Sequence, residues 1–284
     1  MPVGDDFRSA RGDPLISIVT VVFNDVRRLQ RTADSVLSQT GRQAEWLIVD
    51  GRSTDGGAEF AKSLEAERVR VWSEPDAGLY DAMNKGAERA RGLYLNFLNA
   101  GDVYRDRDTI DSVAPFLNRR NSTTIFFGGQ ILDFGNGICV RQGPHKDPHR
   151  IRHSLPASHQ AFFIPASLQR STPFDLSYRV CADYESIARM LASGAEMQHM
   201  QRTIVISEKA PEGVTYRRPI MHLLEAARVQ KKVLSAGLGH RAVSALRRLA
   251  PLLFWRLCAY APGIARPIST WRSGGIANYL RKQE

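Results

Sequence analysis

Tyr94-Leu95-Asn96-Phe97-Leu98-Asn99-Ala100-Gly101-Asp102 reads as a mostly apolar run, the pattern of a buried strand, that stops at an Asn, two small residues and an Asp. Such an ending has two readings. It is an ordinary polar turn, or it is a metal or phosphate site that presents one carboxylate on a turn nearly free of side chains. The flanking sequence weighs between them. Leu15–Phe23 is β-branched and almost continuously apolar, as suits a strand buried on both faces of a parallel sheet. Asn24 or Asp25 can cap a helix running to about Gln39. Glu45–Asp50 is the next strand, and Thr54 or Asp55, in a loop of turn formers, can cap a second helix. Val69–Trp72 is a third strand, followed by a helix from about Leu79 to Ala90 that Gly92 closes. Alternating strands and helices give βαβ units and a parallel sheet, whose ligands sit beyond the carboxyl ends of the strands. Asp50 and Asp102 both fall at such ends, which favours the site over the plain turn.

Beyond residue 120 the pattern changes. Thr124–Phe127 and Ile131–Phe134 read as short strands, and Ile138–Val140 can pair back across a Phe-Gly-Asn-Gly turn. His159–Ile164 reads as another strand and Asp183 to about Ala192 as a helix with an acidic start. From about Pro219 the chain reads as helical and basic, interrupted by Pro251, Pro262 and Pro267.

A chain of 284 residues with 43% hydrophobic residues can bury a large α/β core. Three widely spaced cysteines, Cys139, Cys181 and Cys258, match neither a disulfide framework nor a metal-ligand pattern, and read as reduced core residues of a cytosolic protein. The N-terminal stretch is charged and lacks the apolar segment of a signal peptide. The net charge of +10 is concentrated in the tail. From Arg217 onward thirteen Lys or Arg face two Glu, leaving the first 216 residues close to neutral. A basic tail suits an anionic membrane surface or nucleic acid, but no nucleic-acid-binding module is present and no nucleic-acid partner is expected. Leu249–Ala265 is apolar apart from Arg256, yet too short and too proline-broken to span a bilayer. With Trp255, Tyr260 and Trp271 it suits a segment lying on a membrane.

The carboxylates carry the chemistry. Asp50 can accept hydrogen bonds from a nucleobase or ribose. Asp102 can bind Mg²⁺ or Mn²⁺, which prefer oxygen ligands, and Ala100 and Gly101 leave room for a diphosphate. Asp183, at a helix start, can act as a general base. The spacing of His145, His149 and His153 fits no standard metal site.

The segments ISIVTVVFND, EWLIVDGRSTDG and SEPDAGLYDAMNKGAERARGLYLNFLNAGD resemble the nucleotide-sugar-binding half of a family 2 glycosyltransferase with the GT-A fold. ILDFGNG, HSLPASHQAFF and ADYESIARML extend the resemblance to bacterial colanic-acid and exopolysaccharide glycosyltransferases. The resemblance implies an α/β fold with a Rossmann-like, mostly parallel central sheet and flanking helices. It implies an N-terminal tail at 1–13, a nucleotide-binding half at 14–103, an acceptor half at 104–215 and a basic helical extension at 216–284 that associates with membrane. It implies that Val22, Asp50, Ser53, Asp76, Asn84, Lys85, Asn99 and Ala100 border the sugar nucleotide and that Asp102 holds the metal. Asp183 stands at the position of the catalytic base, preceded by Ala182 where many relatives have Glu. His159, Gln160 and Glu185 lie where acceptor or donor sugar approaches, and Arg217 and Arg218 are placed to clamp the diphosphate. Asn99 and Gly101 replace acidic residues common in the family, so water and diphosphate would supply most metal ligands.

The implied activity is an inverting, hexosyltransferase-type reaction. It uses a UDP- or GDP-sugar and a divalent cation, and its acceptor is a polyprenyl-diphosphate-linked glycan. The implied location is the cytoplasmic face of a bacterial plasma membrane. A nucleotidyltransferase would carry a glycine-rich phosphate loop after the first strand, which VVFNDVRR lacks. A non-catalytic sugar-nucleotide-binding module is favoured by the lost acidity at Asn99 and Gly101 and opposed by intact Asp102 and Asp183.

Overall fold

The computed structural model describes residues 13–117, 122–133, 139–142, 151–208, 217–237, 239 and 241–246. They form two compact units. One takes in the described residues of Met1–Phe127, Phe162–Pro173 and Ala195–Met200; the other takes in those of Gly128–Ala161, Phe174–Gly194 and Gln201–Glu284.

The first unit is built on β1 (Ile16–Val22), which is buried at every position. α1 (Val26–Leu37) follows, and the Asp25 side chain caps it by accepting from the Arg28 N–H at 3.2 Å. β2 (Ala44–Asp50), α2 (Gly57–Ser63), β3 (Val69–Ser73), α3 (Leu79–Arg89) and β4 (Tyr94–Phe97) complete the alternation. β3, β2, β1 and β4 lie side by side and all parallel, with Val22 opposite Asp50 in register. Leu47, Ile48 and Val49 in β2 are fully buried, as strands covered on both faces require.

Beyond β4 the pairing turns antiparallel, first to β8 (Phe162–Pro165) and then to β6 (Thr124–Asp133). Parallel pairs thus join the first four strands, and antiparallel pairs follow at β4–β8 and β8–β6. Between β4 and β8 in the chain come β5 (Val103–Tyr104), α4 (Thr109–Val113), β6 and β7 (Cys139–Gln142). The two short strands expected at Thr124–Phe134 form the single strand β6, and β7 pairs back on it as expected, Asp133 opposite Cys139. The turn between them lies outside the described residues. His159–Ala161 is a 3-10 turn leading into β8 (Phe162–Pro165), so the strand expected from His159 begins three residues later. α5 (Ala166–Ser171), α6 (Ala182–Ala192), β9 (Glu196–Glu208) and α7 (Pro219–Lys232) follow.

Buried polar residues explain irregularities in the apolar runs. Asn96, within β4, donates from Nδ2 to the Phe162 carbonyl at 2.8 Å and accepts from the Tyr104 hydroxyl at 2.7 Å. Burial pushes the Tyr104 phenol well above its ordinary pKa, so it stays a donor. At the amino edge Glu45 accepts from Ser17, Arg70 and both the backbone and side chain of Arg91. α3 ends at Ala90 in an extended conformation, not on a left-handed glycine. Gly92 instead lets the chain pass tightly beside β1, where a Cβ would lie 2.5 Å from the Ser17 nitrogen.

Candidate functional site

In the first unit the carboxyl edges of β1, β2 and β4 carry three interlocked loops. Asp50 ends β2 with no solvent exposure. Its carboxylate accepts from the Ser53 N–H at 3.1 and 3.3 Å and from the Ser73 hydroxyl at 2.6 Å. Ser53 in turn accepts the Asn24 N–H through Oγ at 2.8 Å. Asn24 stands at φ 49° and accepts both the Thr54 N–H and its hydroxyl. Asp55 accepts the Val26 N–H at 2.8 Å and the Gly57 N–H at 3.0 Å, so one carboxylate serves the starts of α1 and α2. Those bonds, the one from Val26 foremost, hold its pKa below the ordinary aspartate value.

Gly51 sits in the middle of this arrangement. A Cβ there would meet Asp76 Oδ2 at 2.5 Å and the Phe23 ring at 3.1 Å. Phe23 is 63% exposed, an aromatic face next to the Asp76 carboxylate at the end of the sheet. Phe23, expected as the last residue of a strand buried on both faces, instead lies just past the end of β1, in solvent. Its signal was an aromatic at the last position of an apolar run, directly before a helix cap, where the core no longer covers it. Val22, buried, pairs with Asp50 beneath it. Lys85, on α3 beside Asn84, donates to the Pro75 carbonyl at 2.7 Å and pairs with Asp81 at 2.8 Å. The Asp81 bond leads the causes that raise its pKa, and Asp76 also contributes.

The turn of the opening stretch is closed by the Asp102 N–H donating to the Asn99 carbonyl at 3.0 Å. Gly101 occupies its third position at φ 99°, a conformation that side chains disfavour, and a Cβ there would meet Arg28 Cδ at 2.9 Å. This backbone, with Arg28 beside it, favours glycine at this position. Thr32 of α1 anchors the turn. Its hydroxyl donates to the Asp102 carbonyl at 2.9 Å and accepts the Gly101 N–H at 2.9 Å. Ala100 N–H reaches the Val21 carbonyl at 3.4 Å, placing the turn against the end of β1. Asp102 is 6% exposed. No group of three or more His, Cys, Asp or Glu able to hold a metal occurs among the described residues. One carboxylate with a neighbouring amide, Asn99, is a set of hard oxygen donors of the kind Mg²⁺ and Mn²⁺ accept.

In the second unit Asp183 is the second residue of α6. Its Oδ2 lies 3.2 Å from His159 Nδ1, and its Oδ1 accepts the Tyr184 N–H at 2.8 Å. Burial pushes its pKa up, but the His159 bond and charge, the Tyr184 N–H and His222 together outweigh burial and hold it below the ordinary aspartate value. Gln160 follows His159, buried. Glu185 is also buried, and its two oxygens are bonded to the Arg189 guanidinium at 3.0 Å each. It fastens one turn of α6 to the next. Arg217 and Arg218 are exposed just before α7, with Arg218 at its cap. Residues 247–284, which carry the aromatic and proline part of the basic tail, lie outside the described residues, as do His145 and His149.

A parallel sheet that presents buried carboxylates at its carboxyl edge, with an aromatic side chain beside them, is an α/β architecture whose ligands sit beyond that edge. The Glycosyl transferase family 2 model matches residues 17–154. A PGL/p-HBAD biosynthesis glycosyltransferase of Mycobacterium tuberculosis is 29% identical over 264 residues, covering 91% of this chain and 98% of the relative. An uncharacterized glycosyltransferase of the same species is 33% identical over 182 residues, 62% of this chain and 68% of that one. The chain belongs to glycosyltransferase family 2 and is a sugar-nucleotide-dependent glycosyltransferase. Solved structures share the fold. S. aureus TarS 1-349 in complex with UDP-GlcNAc gives a TM-score of 0.61 at 15% identity, over 82% of this chain and 71% of that one. The mannosyltransferase PcManGT of Pyrobaculum calidifontis, in complex with GDP-Man and Mn²⁺, gives 0.58 at 15% identity over 91% and 83%.

Proposed function

We propose that this chain is an inverting hexosyltransferase that moves a sugar from a UDP- or GDP-sugar to a polyprenyl-diphosphate-linked glycan in cell-surface polysaccharide assembly. The observation that carries the reading is Asp183, kept ionised in the first turn of α6 with His159 beside it. An acceptor hydroxyl gives its proton to Asp183 as its oxygen attacks the anomeric carbon, and the bond from that carbon to the diphosphate oxygen breaks. A single displacement inverts the carbon, and nucleoside diphosphate leaves. The first unit holds the donor. Phe23 offers a face for the base, Asp76 and the Ser53 loop accept from base or ribose, and buried Asp50 and Val22 set that loop's shape. Asn84 and Lys85 border the sugar, and the Asn99–Asp102 turn faces the diphosphate.

Asp102, with Asn99, would hold a divalent cation whose charge offsets that developing on the diphosphate. The structure likened above in complex with GDP-Man and Mn²⁺ supports that choice of ion. His159 and Gln160 serve the sugars at the base, and Arg217 and Arg218 reach for phosphate oxygens. Among the described residues no helix is long and apolar enough to cross a membrane. The basic tail suits peripheral attachment to the inner face of the plasma membrane. Release of nucleoside diphosphate from a panel of UDP- and GDP-sugars tests the reading. Release from one donor that stops in EDTA and returns with Mn²⁺ or Mg²⁺ supports it; full activity in EDTA refutes the metal assignment.

A further inference from the structure

The segment that leads into α6 is carried by a distant helix. His222, Glu225 and Arg228 are spaced three residues apart along α7, and all three engage residues 177–181. The Glu225 carboxylate is buried, and it accepts three consecutive backbone N–H groups: Arg179 at 2.8 Å on Oε1, then Val180 and Cys181 at 2.9 Å each on Oε2. One turn away, the His222 carbonyl accepts from Cys181 Sγ at 3.5 Å. One turn the other way, the Arg228 guanidinium lies 4.4 Å from the centre of the Tyr178 ring and donates to Ser177 Oγ at 3.2 Å. Cys181 is the cap residue of α6 and brings no side-chain cap of its own. Asp183 stands two residues further on.

We propose that Glu225 is a positioning residue for the general base: by gathering the 179–181 amides it sets where α6 begins, and so where Asp183 meets His159. The inference rests on the assignment of Asp183 as base. Its physical warrant is geometric. Three charge-assisted bonds to one rigid carboxylate fix the backbone of 179–181, and a misplacement of about 1 Å in a reacting group can cost about 100-fold in rate. It also gives the first helix of the basic extension a part in the chemistry, separate from any attachment by the tail. Glu225→Gln keeps the shape but turns an NH₂ group toward backbone donors, so at least one of the three bonds is lost.

The test uses the full chain as wild type, Glu225→Gln and Asp183→Asn, with the aspartate carboxyl carbons labelled. Asp183 is identified by the NMR signal missing from Asp183→Asn. In wild type it titrates below the ordinary aspartate range. In Glu225→Gln it moves upward, because the His159 contact loosens. Loss of Glu225's negative charge alone would move it downward, so an unmoved or lowered titration overturns the proposal. Should Glu225→Gln fail to fold, amide hydrogen exchange of wild type decides. Amides 179–181 exchanging as slowly as those inside α6 support the proposal, and exchange as fast as an exposed loop overturns it. Turnover is followed as nucleoside diphosphate release from UDP-GlcNAc and GDP-mannose, where Glu225→Gln is expected to lose roughly 10- to 100-fold with donor affinity unchanged. If Asp183→Asn turns over like wild type while Asp183 still moves in Glu225→Gln, the base assignment fails and the positioning stands.

Discussion

The reading of Asp183 as base asks for a carboxylate that stays charged while largely shielded from water. The helix start, the Tyr184 N–H and His159 all favour the charged form. Asp183→Asn keeps the shape but cannot take a proton, so turnover is expected to fall about 10²- to 10⁴-fold with donor binding nearly intact. A loss of only a few-fold, in a steady-state assay with separate kcat and KM, would place the base elsewhere. Glu185 is a poor substitute, since Arg189 engages both its oxygens. Phe23 makes the opposite prediction. Base–aromatic stacking is worth about 1–3 kcal/mol, so Phe23→Ala is expected to weaken nucleoside diphosphate binding roughly 5- to 150-fold. Calorimetry of UDP and GDP binding checks this, and unchanged affinity removes Phe23 from the site. The sequence placed Asp183 at a helix start because an acidic residue opened a helix pattern, and the structure puts it in the first turn of α6. The exposure of Phe23 was not legible, because an aromatic that ends an apolar strand looks the same whether the core covers it or not.

At the level of elements, the parallel strands are held together at the edge away from the site by one carboxylate. Glu45 joins β2 to Ser17 of β1, to Arg70 of β3 and to Arg91 ahead of β4. Burial pushes its pKa up, yet the Ser17, Arg91 and Arg70 interactions more than offset this and hold it below the ordinary glutamate value. A depressed native pKa adds stability that is fully present above the unfolded value, near 4.5, and is lost as pH falls through the native one. Glu45→Gln is therefore expected to cost about 2–3 kcal/mol near neutral pH, the scale of charge-assisted bonds, and the gap should shrink in acid. Thermal melts of both proteins between pH 3 and 7 check it; parallel curves throughout would show that the charge is immaterial. The strand pattern around Glu45 was readable from its apolar run. Its partners were not, because Arg91 is 46 residues away and nothing local marks the pair.

For the whole molecule, the uneven charge sets the expectation. α7 exposes Ile220 (73%) and Leu224 (67%) beside Arg217 and Arg218, an apolar and cationic surface continuous in sequence with the basic tail. Each Lys or Arg near an anionic leaflet contributes about 1 kcal/mol, and a surface-bound enzyme meets lipid-linked acceptors at raised effective concentration. Deleting residues 247–284 is expected to lower co-sedimentation with anionic vesicles at low salt while sparing donor hydrolysis. The cut leaves α7 and its Glu225 bonds in place. If the intact protein stays in the supernatant at low salt, the tail has another role.

The alternation of strands and helices, the parallel sheet they imply and the acidic residues at strand ends were determined by sequence alone. Each depends on local periodicity and on which residues can end a strand or begin a helix. Tertiary structure decided what those residues do. Gly101 is small because its backbone stands at φ 99° against Arg28, and Asp50 is buried because Ser53 and Ser73 fold over it. The approach to α6 rests on a glutamate 44 residues downstream of Cys181. Hydrogen bonds to backbone amides leave no trace in residue type at the donor positions, so such a partnership exists only once the chain has folded.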